Sequence, residues 1–240
     1  MHAFEQSSRP VLFEHAHPDF SYWGKGSSLL LANSRNYYWV TASHVLSNSG
    51  GMLECLRIFP SDDSTVSLPF NEKYTIKTGL SDDEDYKDLF VLRINLEEFD
   101  GFGDTPLIAQ DVDQGILSGE ALTAGDELWI VGYASECNLV DYETRTIKST
   151  RSVIRGVYLG QSSAAHCHKL RVETSIHLAS YDGLSGSPVF TYQRRTENGR
   201  IVDYPLLVGM LLRGTASSGV AHFVDSDVIA QFINVVEGNA

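Results

Sequence analysis

Short apolar runs of about four to eight residues recur along the whole chain, and clusters of Gly, Ser, Asn and Asp separate them. Runs of this length between turn-forming residues are typical of β-strands, because helices need longer stretches with apolar residues at 3.6-residue spacing. The pattern predicts an all-β barrel or sandwich. The predicted strands are Ser28–Ala32, Tyr37–Thr41, Leu53–Phe59, Tyr74–Lys77, Asp88–Ile94, Glu127–Tyr133, Ser152–Leu159, Lys169–Thr174, Pro188–Tyr192, Leu206–Arg213 and Val220–Val224.

One segment departs from this strand pattern. Asp225–Val236 has Val228, Ile229, Phe232, Ile233 and Val236 at helical spacing, behind acidic and Ser residues suited to an N-cap. A C-terminal helix within residues 225–240 is therefore expected. Because Gly101–Gln114 contains no clear strand, we predict a boundary there, between an N-terminal half (1–108) and a C-terminal half (109–224).

Charge and apolar content limit the partners. With 18 Lys+Arg against 31 Asp+Glu, the chain has a formal net charge of −13, which disfavours nucleic acid and anionic membrane as partners. The longest apolar stretch, Pro205–Leu212, is far shorter than the ~20 residues of a membrane span. Acids and histidines near the N-terminus do not fit a signal peptide, so a cytoplasmic location is expected. Cys55, Cys137 and Cys167 have no CxxC spacing and are expected to remain thiols.

Three short segments contain groups that act together in acyl transfer. Gly183 and Gly186 flank Ser185, and a turn of this kind can present a hydroxyl beside converging backbone N–H groups. A serine needs a base within hydrogen-bond reach, and His44 after the strand Tyr37–Thr41 is the candidate. Asp88, at the start of another strand, is the candidate for orienting the imidazole.

The sequences of these segments resemble those of the chymotrypsin/trypsin-fold serine proteases. Thr41–Val45 (TASHV) is similar to the family's TAAHC, Lys87–Ile94 (KDLFVLRI) to its D-I-A-L-L-type strand, and Gly183–Pro188 (GLSGSP) to its G-D-S-G-G-P. Val208–Gly214 (VGMLLRG) resembles V-G-I-V-S-W-G, and Gly219–Val224 (GVAHFV) resembles G-V-Y-T-R-V. These segments follow the family's order, with comparable spacing between the three reactive residues.

The resemblance implies an architecture and an activity. It implies two six-stranded antiparallel β-barrels, the first with His44 and Asp88 and the second with Ser185, and an active site in the cleft between them. It implies serine endopeptidase activity on protein or peptide substrates, with an oxyanion hole made by the N–H groups of Gly183 and Ser185. The substrate backbone is then expected to pair with Leu212–Gly214 as an added strand. No cofactor is expected.

Departures from the family pattern bear on activation and specificity. Leu184 replaces the Asp of zymogen-activated members, so proteolytic activation is not expected, and the segment resembles non-zymogen bacterial and viral relatives. Ala179 stands where trypsin-like enzymes have an Asp, which disfavours Arg or Lys specificity. Gly214 and Gly219 match glycines that leave the pocket open to apolar side chains.

Two positions next to the cleft also differ. Leu212 replaces a Ser that supports the triad Asp in many relatives, and Arg213 replaces an apolar residue. Arg213 is read either as a residue that recognises an acidic substrate or as a solvated charge.

Other interpretations remain at the level of the sequence. His44, Asp88 and Ser185 taken singly are also ordinary turn or core residues. A protease-fold module that binds extended peptides without cutting them is one alternative, and an enzyme held latent until a partner orders the Gly183–Ser185 turn is another. Two pairs of histidines, each separated by one residue, could bind zinc with Cys167, and the acidic run 81–88 could bind calcium. Loop roles are expected for both groups, and no metal is predicted. The histidines concerned are His15, His17, His166 and His168.

Overall fold

The computed structural model describes most of the chain. The described residues are 3–17, 20–48, 50, 52–62, 64–76, 85–99, 107–141, 143, 146–173, 178–197 and 199–238.

The first sheet contains seven strands, six from the predicted N-terminal half and β7 from just after the predicted boundary at residue 108. They are β1 (Ser8–His17), β2 (Phe20–Ala32), β3 (Tyr37–Ala42), β4 (Leu56–Arg57), β5 (Phe70–Thr75), β6 (Leu89–Ile94) and β7 (Gln110–Asp111). Their order is β4-β1-β2-β3-β6-β5, with β7 parallel beside β2. Apolar side chains bury β3 and β6 on both faces, as expected for central strands. Antiparallel pairing of Ala42 with Leu89 brings the end of β3 beside the start of β6.

The second sheet closes into a ring of six strands. It consists of β8 (Glu127–Gly132), β11 (Ser152–Gln161), β12 (Cys167–Val172), β13 (Pro188–Glu197), β14 (Arg200–Thr215) and β15 (Val220–Asp225), in the order β11-β12-β15-β14-β13-β8. A separate hairpin pairs β9 (Asn138–Asp141) with β10 (Thr146–Ser149). Burial alternates along β11, with Ser152, Ile154 and Gly156 inside, because one face of the ring packs on its core.

Two α-helices accompany the sheets in the described part of the chain: α1 (Ser43–Ser47), directly after β3, and α2 (Ser226–Gly238), directly after β15. Ile229, Ile233 and Val236 of α2 are buried on one face of the helix. Short 3-10 turns lie at Ala3–Ser7, Leu53–Cys55, Asp85–Lys87, Leu96–Glu98, Gly119–Ala121 and Ser135–Cys137. Over the residues described, no helix combines the length and the apolar character that a membrane crossing requires.

The fold confirms the prediction of a mostly β chain that ends in a helix. The second sheet is a closed six-stranded ring, whereas the first forms an open path of strands over the described residues, so a pair of six-stranded barrels remains a prediction. The predicted strand Leu53–Phe59 is wrong for its first part, because Leu53–Cys55 forms a 3-10 turn and only Leu56–Arg57 pairs with β1. Lys77 and Thr174, the ends of two predicted strands, lie outside the described residues.

Several strands have no counterpart among the sequence predictions. They are β1, the first part of β2, the first part of β5, β7, the β9–β10 hairpin, and the outer parts of β13 and β14. The outer part of β13 is exposed on both faces, so it lacks the apolar face that a pattern search detects. The predicted boundary 101–114 includes β7, and residues 101–106 lie outside the description.

Candidate functional site

His44 and Asp88 meet because of the register between β3 and β6. His44 lies in the first turn of α1, two residues after β3, and Asp88 directly precedes β6. The Ser43 N–H donates to the Asp88 carbonyl oxygen at 3.1 Å and continues the ladder by one step. Both residues therefore lie next to the ends of two paired, buried strands, which holds their relative position.

The Asp88 carboxylate contacts His44 at two points. Oδ1 accepts the His44 backbone N–H at 2.9 Å, and Oδ2 lies 2.5 Å from the ring Nδ1. An ionised carboxylate can only accept hydrogen bonds, so this contact favours the tautomer of the neutral imidazole that has its proton on Nδ1 and its lone pair on Nε2. The side chains retain 35% exposure for His44 and 27% for Asp88, which leaves the pair accessible from solvent. This arrangement suits a general base.

The Ser185 turn has a backbone that only glycine adopts readily. Gly183 and Gly186 have φ values of +87° and +88°. A Cβ at Gly183 would lie 2.5 Å from the Tyr133 carbonyl oxygen, and one at Gly186 would lie 1.9 Å from the Ser27 carbonyl oxygen. Both positions therefore combine positive φ with a close backbone approach.

Two N–H groups of this turn have no acceptor among the residues that the structure describes. The neighbouring amides are bonded: Leu184 N–H donates to the Tyr181 carbonyl oxygen at 3.1 Å, and Gly186 N–H to the Leu211 carbonyl oxygen at 2.8 Å. Among the residues that the structure describes, the N–H groups of Gly183 and Ser185 have no such partner. Backbone donors in one turn that have no protein acceptor are what the stabilisation of a developing oxyanion requires.

Ser27 on β2 connects this turn to the His44 region. Its N–H donates to the Ser185 carbonyl oxygen at 2.9 Å, and its Oγ donates to the Gly183 carbonyl oxygen at 2.7 Å. Its own carbonyl oxygen accepts the Thr41 hydroxyl at 2.7 Å, three residues before His44. Sequence reasoning missed Ser27, which directly precedes the predicted strand Ser28–Ala32, because its burial follows only from the packing of the two sheets.

The Ser185 hydroxyl donates to the Leu212 carbonyl oxygen at 2.9 Å. Leu212 also lines a small cavity of about 70 Å³ with His44, Asp85, Asp88 and Arg213. The structure thus brings the three predicted reactive residues around Leu212. No hydrogen bond joins Ser185 to His44 within the described chain.

The predicted substrate-binding residues have identifiable neighbours. Arg213 Nη2 lies 2.5 Å from Asp85 Oδ2, so an ion pair holds this guanidinium beside the cavity. Ala179 is exposed, and its N–H donates to the carboxylate of Glu136 at 3.1 Å. Sequence reasoning placed Asp85 only within the acidic run 81–88 and assigned no role to Glu136, because each is distant in sequence from its partner.

The two predicted pocket glycines differ from each other. A Cβ at Gly214 would lie 2.8 Å from Tyr181 Cδ2, so the Tyr181 ring packs directly against that glycine. Gly219 has a φ of +65° and open space around it. Burial raises the pKa of Tyr181, in agreement with its position against the second sheet.

The sequence also suggested metal ligands. His168 is buried, with Nδ1 2.8 Å from the Tyr158 hydroxyl and Nε2 2.9 Å from Asp225 Oδ2. Burial raises the pKa of the Cys167 thiol to about 12, which disfavours the thiolate that a metal needs. The described residues contain no group of three His, Cys, Asp or Glu side chains arranged for a metal.

The remaining metal candidates are partly outside the description. The side chains of His15 and His17 lie outside it, as do residues 81–84 of the acidic run. His166 packs edge-on against Tyr86.

Comparison of the sequence with models of known protein families finds no match, and comparison with curated proteins finds no significant match. The geometry around Leu212 is therefore the basis on which a function is assigned.

Proposed function

We propose that this protein is a serine endopeptidase with a chymotrypsin-like double-β architecture. The observation that carries the proposal combines two features around Leu212. The Asp88–His44 pair lines a cavity together with Leu212, and the Ser185 hydroxyl donates to the Leu212 carbonyl oxygen. In the same turn, the N–H groups of Gly183 and Ser185 have no acceptor among the described residues. An ordinary turn serine needs neither a base oriented by a carboxylate nor backbone donors without an acceptor.

The proposed reaction uses these groups in two steps. Ser185 Oγ attacks the substrate carbonyl carbon and passes its proton to His44 Nε2, so a C–O bond forms and the carbonyl oxygen becomes negative. The N–H groups of Gly183 and Ser185 stabilise that oxygen. The C–N bond then breaks as His44 returns the proton to the leaving amine. Water repeats the sequence on the acyl ester and regenerates Ser185.

Asp88 supports both steps through His44. Its carboxylate holds the tautomer with the proton on Nδ1, and its negative charge stabilises the imidazolium that forms when Nε2 takes the serine proton. No metal or other cofactor takes part in this proposal.

The neighbours of the cleft favour an uncharged residue on the acyl side of the cut bond. Ala179 has no side-chain carboxylate of its own for Arg or Lys, and the Glu136 carboxylate beside it accepts the Ala179 N–H. The Tyr181 ring occupies the space next to Gly214. The backbone of Leu212–Gly214 is proposed to pair with the substrate as an added strand. Protein or peptide is therefore the proposed substrate class.

One observation favours an inactive state of the isolated chain. The protein would then be either a module that binds peptides without cutting them or an enzyme that is latent until a partner orders the Ser185 turn. These two possibilities together form the second candidate. Ser185 Oγ donates to the Leu212 carbonyl oxygen and not to His44. In the protease proposal, rotation of this hydroxyl toward His44 accompanies substrate binding, since catalytic hydrogen bonds often tighten only in the complex.

A fluorophosphonate distinguishes the candidates, because it reacts with activated serines. The purified protein is treated with the reagent and its adduct is located by intact mass and peptide mapping. We expect one adduct on Ser185, absent from Ser185→Ala and from His44→Ala. Ser187→Ala is the matched control: its hydroxyl has no hydrogen-bond partner within the described residues, so labelling is expected to persist. Absence of labelling in the folded wild-type chain would favour the second candidate.

A further inference from the structure

An open groove of about 880 Å³ lies on the outside of the second sheet. It shares no lining residue with the cavity beside His44. Its apolar lining includes the aromatic rings of Phe4, Trp129 and Tyr192. The volume is within the range of ligand sites, and an aromatic floor provides large contact area for little loss of conformational entropy.

The groove exists because β13 separates from β8. These strands pair only at Val189 with Ile130 and at Phe190 with Trp129. A bond of 3.1 Å from the Thr191 hydroxyl to the Glu127 carbonyl oxygen is the last link between them. Beyond Phe190, β13 continues as a hairpin with β14 as far as Glu197.

The outer part of β13 therefore has a strand on one side only. Over the described residues, β14 is its single ladder partner from Thr191 to Glu197. The unpaired side presents backbone N–H and C=O groups, and the groove runs beside it. Such an edge accepts an additional strand readily.

The groove follows the edge of β13, and successive residues of this strand line it. On one face of the hairpin Tyr192 stands opposite Pro205 and Arg194 opposite Asp203, and all four line the groove. Thr191 and Gln193, which alternate with them along β13, line it as well. The Tyr192 ring is 37% exposed and lies edge-on to Phe4 at 5.6 Å and to Trp129 at 6.3 Å. Tyr204 lies on the opposite face, where it stacks with Arg195.

Acidic groups outnumber basic ones around the groove. Its charged lining consists of Asp126, Glu127 and Asp203 against Arg194. Asp203 is paired with Arg194 at 3.2 Å and Glu127 with Arg155 at 3.2 Å, so the carboxylate of Asp126 is the acidic lining group for which the described residues show no arginine partner. Glu5 is a further carboxylate near Tyr192 and, with burial, helps to raise the pKa of that phenol. This local charge attracts Lys or Arg side chains and repels acidic segments.

We propose that this groove binds an extended basic segment of a partner protein, which adds as a strand to the free edge of β13. Backbone hydrogen bonds to the outer part of β13 supply affinity. Apolar residues on one face of the added strand contact Tyr192 and Trp129, and Lys or Arg residues meet the acidic rim. About six residues, ~20 Å of strand, cover the free edge. This inference does not depend on the protease proposal.

The test uses a fluorescein-labelled decapeptide of alternating valine and lysine, with anisotropy as the readout. It is carried out on the Ser185→Ala variant, which is not expected to hydrolyse the peptide. The binding result can therefore be interpreted even if the proposed protease function is wrong. We expect saturable binding. Two control peptides are expected to bind at least tenfold more weakly. An alternating valine–glutamate peptide reverses the charge. A valine–lysine peptide with N-methyl groups on two adjacent central residues lacks N–H donors on both of its strand edges.

Variants locate the site. Tyr192→Ala is expected to weaken binding about tenfold, and Asp203→Asn severalfold, whereas Tyr204→Ala, on the other face of the same hairpin, retains wild-type affinity. A peptide with five valines followed by five lysines has the same composition without alternation. Equal affinity for it, or equal effects of Tyr192→Ala and Tyr204→Ala, would overturn the proposal in favour of unspecific attraction to an acidic surface.

A second copy of the chain is the competing occupant of the free edge. Sedimentation over a range of concentrations tests it. Dimerisation that Tyr192→Ala abolishes, together with failure of the peptide to bind, would overturn the proposal in favour of self-association.

Discussion

Asp88 holds His44 through the ring and the backbone at once. Oδ2 contacts Nδ1 at 2.5 Å while Oδ1 accepts the His44 amide at 2.9 Å. The second contact also satisfies one of the free N–H groups in the first turn of α1, where the Ala42 N-cap supplies no side chain. One carboxylate therefore fixes the helix start, the ring orientation and the tautomer together.

This double contact makes Asp88→Asn a sharp test. An amide in place of the carboxylate supplies no negative charge for the imidazolium and can reverse the tautomer of His44. We expect kcat/KM on a cleavable peptide to fall about 10⁴-fold, with circular dichroism unchanged. Asp227→Asn, at the start of α2, is the control and should retain activity. Full activity of Asp88→Asn would contradict the proposed role.

Gly186→Ala is expected to disrupt the Ser185 turn. The new Cβ would lie 1.9 Å from the Ser27 carbonyl oxygen in addition to the strain of a positive φ. We expect a loss of several kcal/mol in the free energy of unfolding, of the size seen for overpacking together with strain, and no fluorophosphonate adduct.

Gly125→Ala separates the two causes of that loss. Gly125 has a φ of +103° but open space around it, so only the backbone strain applies. We expect a loss of about 1 kcal/mol in chemical denaturation and normal labelling. Equal losses for the two variants would show that the contact with Ser27 is unimportant.

Ser27→Ala tests the connection between the two sheets. Removing its hydroxyl takes a partner from the Gly183 carbonyl oxygen and from the Tyr133 N–H, both of which lie in the second half of the chain. We expect a cost of ~2 kcal/mol in stability and a slower reaction of Ser185 with the fluorophosphonate.

Ser28→Ala is the matched control for that change. Ser28 is equally buried, but its hydroxyl donates to the Arg9 carbonyl oxygen, within the first sheet. We expect some loss of stability with an unchanged labelling rate. A labelling rate that falls equally in both variants would refute a specific role for Ser27.

The environment of Glu237 leads us to expect that the stability of the fold decreases at acidic pH. Hydrogen bonds from Tyr38, Asn33 and Asn36 lower the pKa of this carboxyl to about 2. Because the native state favours the charged form, its contribution is present above the ordinary pKa of Glu and is lost as the pH falls from about 4.5 to about 2. We expect Glu237→Gln to make the melting temperature depend less on pH over this interval. Glu120→Gln, at an exposed site, should leave the profile unchanged.

Part of the site could be predicted from the sequence. The glycines around Ser185 indicate a turn with positive φ, and they have it. The apolar runs before His44 and after Asp88 indicate strands, and β3 and β6 are strands. Such features depend on neighbouring residues, so local patterns are enough to find them.

The partners of those residues could not be predicted in the same way. The Ser185 hydroxyl bonds to Leu212, and Arg213 pairs with Asp85, across long separations in sequence. The free edge of β13 arises because its pairing with β8 ends after Phe190. Each of these depends on strand register and on how two sheets pack.

The sequence by itself determined a mostly β chain, its C-terminal helix, and the backbone types at the reactive positions, because hydrophobic period and glycine placement act over a few residues. Only the tertiary structure decided that Asp88 reaches His44, that Ser27 joins the two sheets, and that an acidic aromatic groove opens beside β13. The physical reason is that hydrogen-bond partners and surface grooves are properties of chain segments packed together, whose register is settled by the whole core.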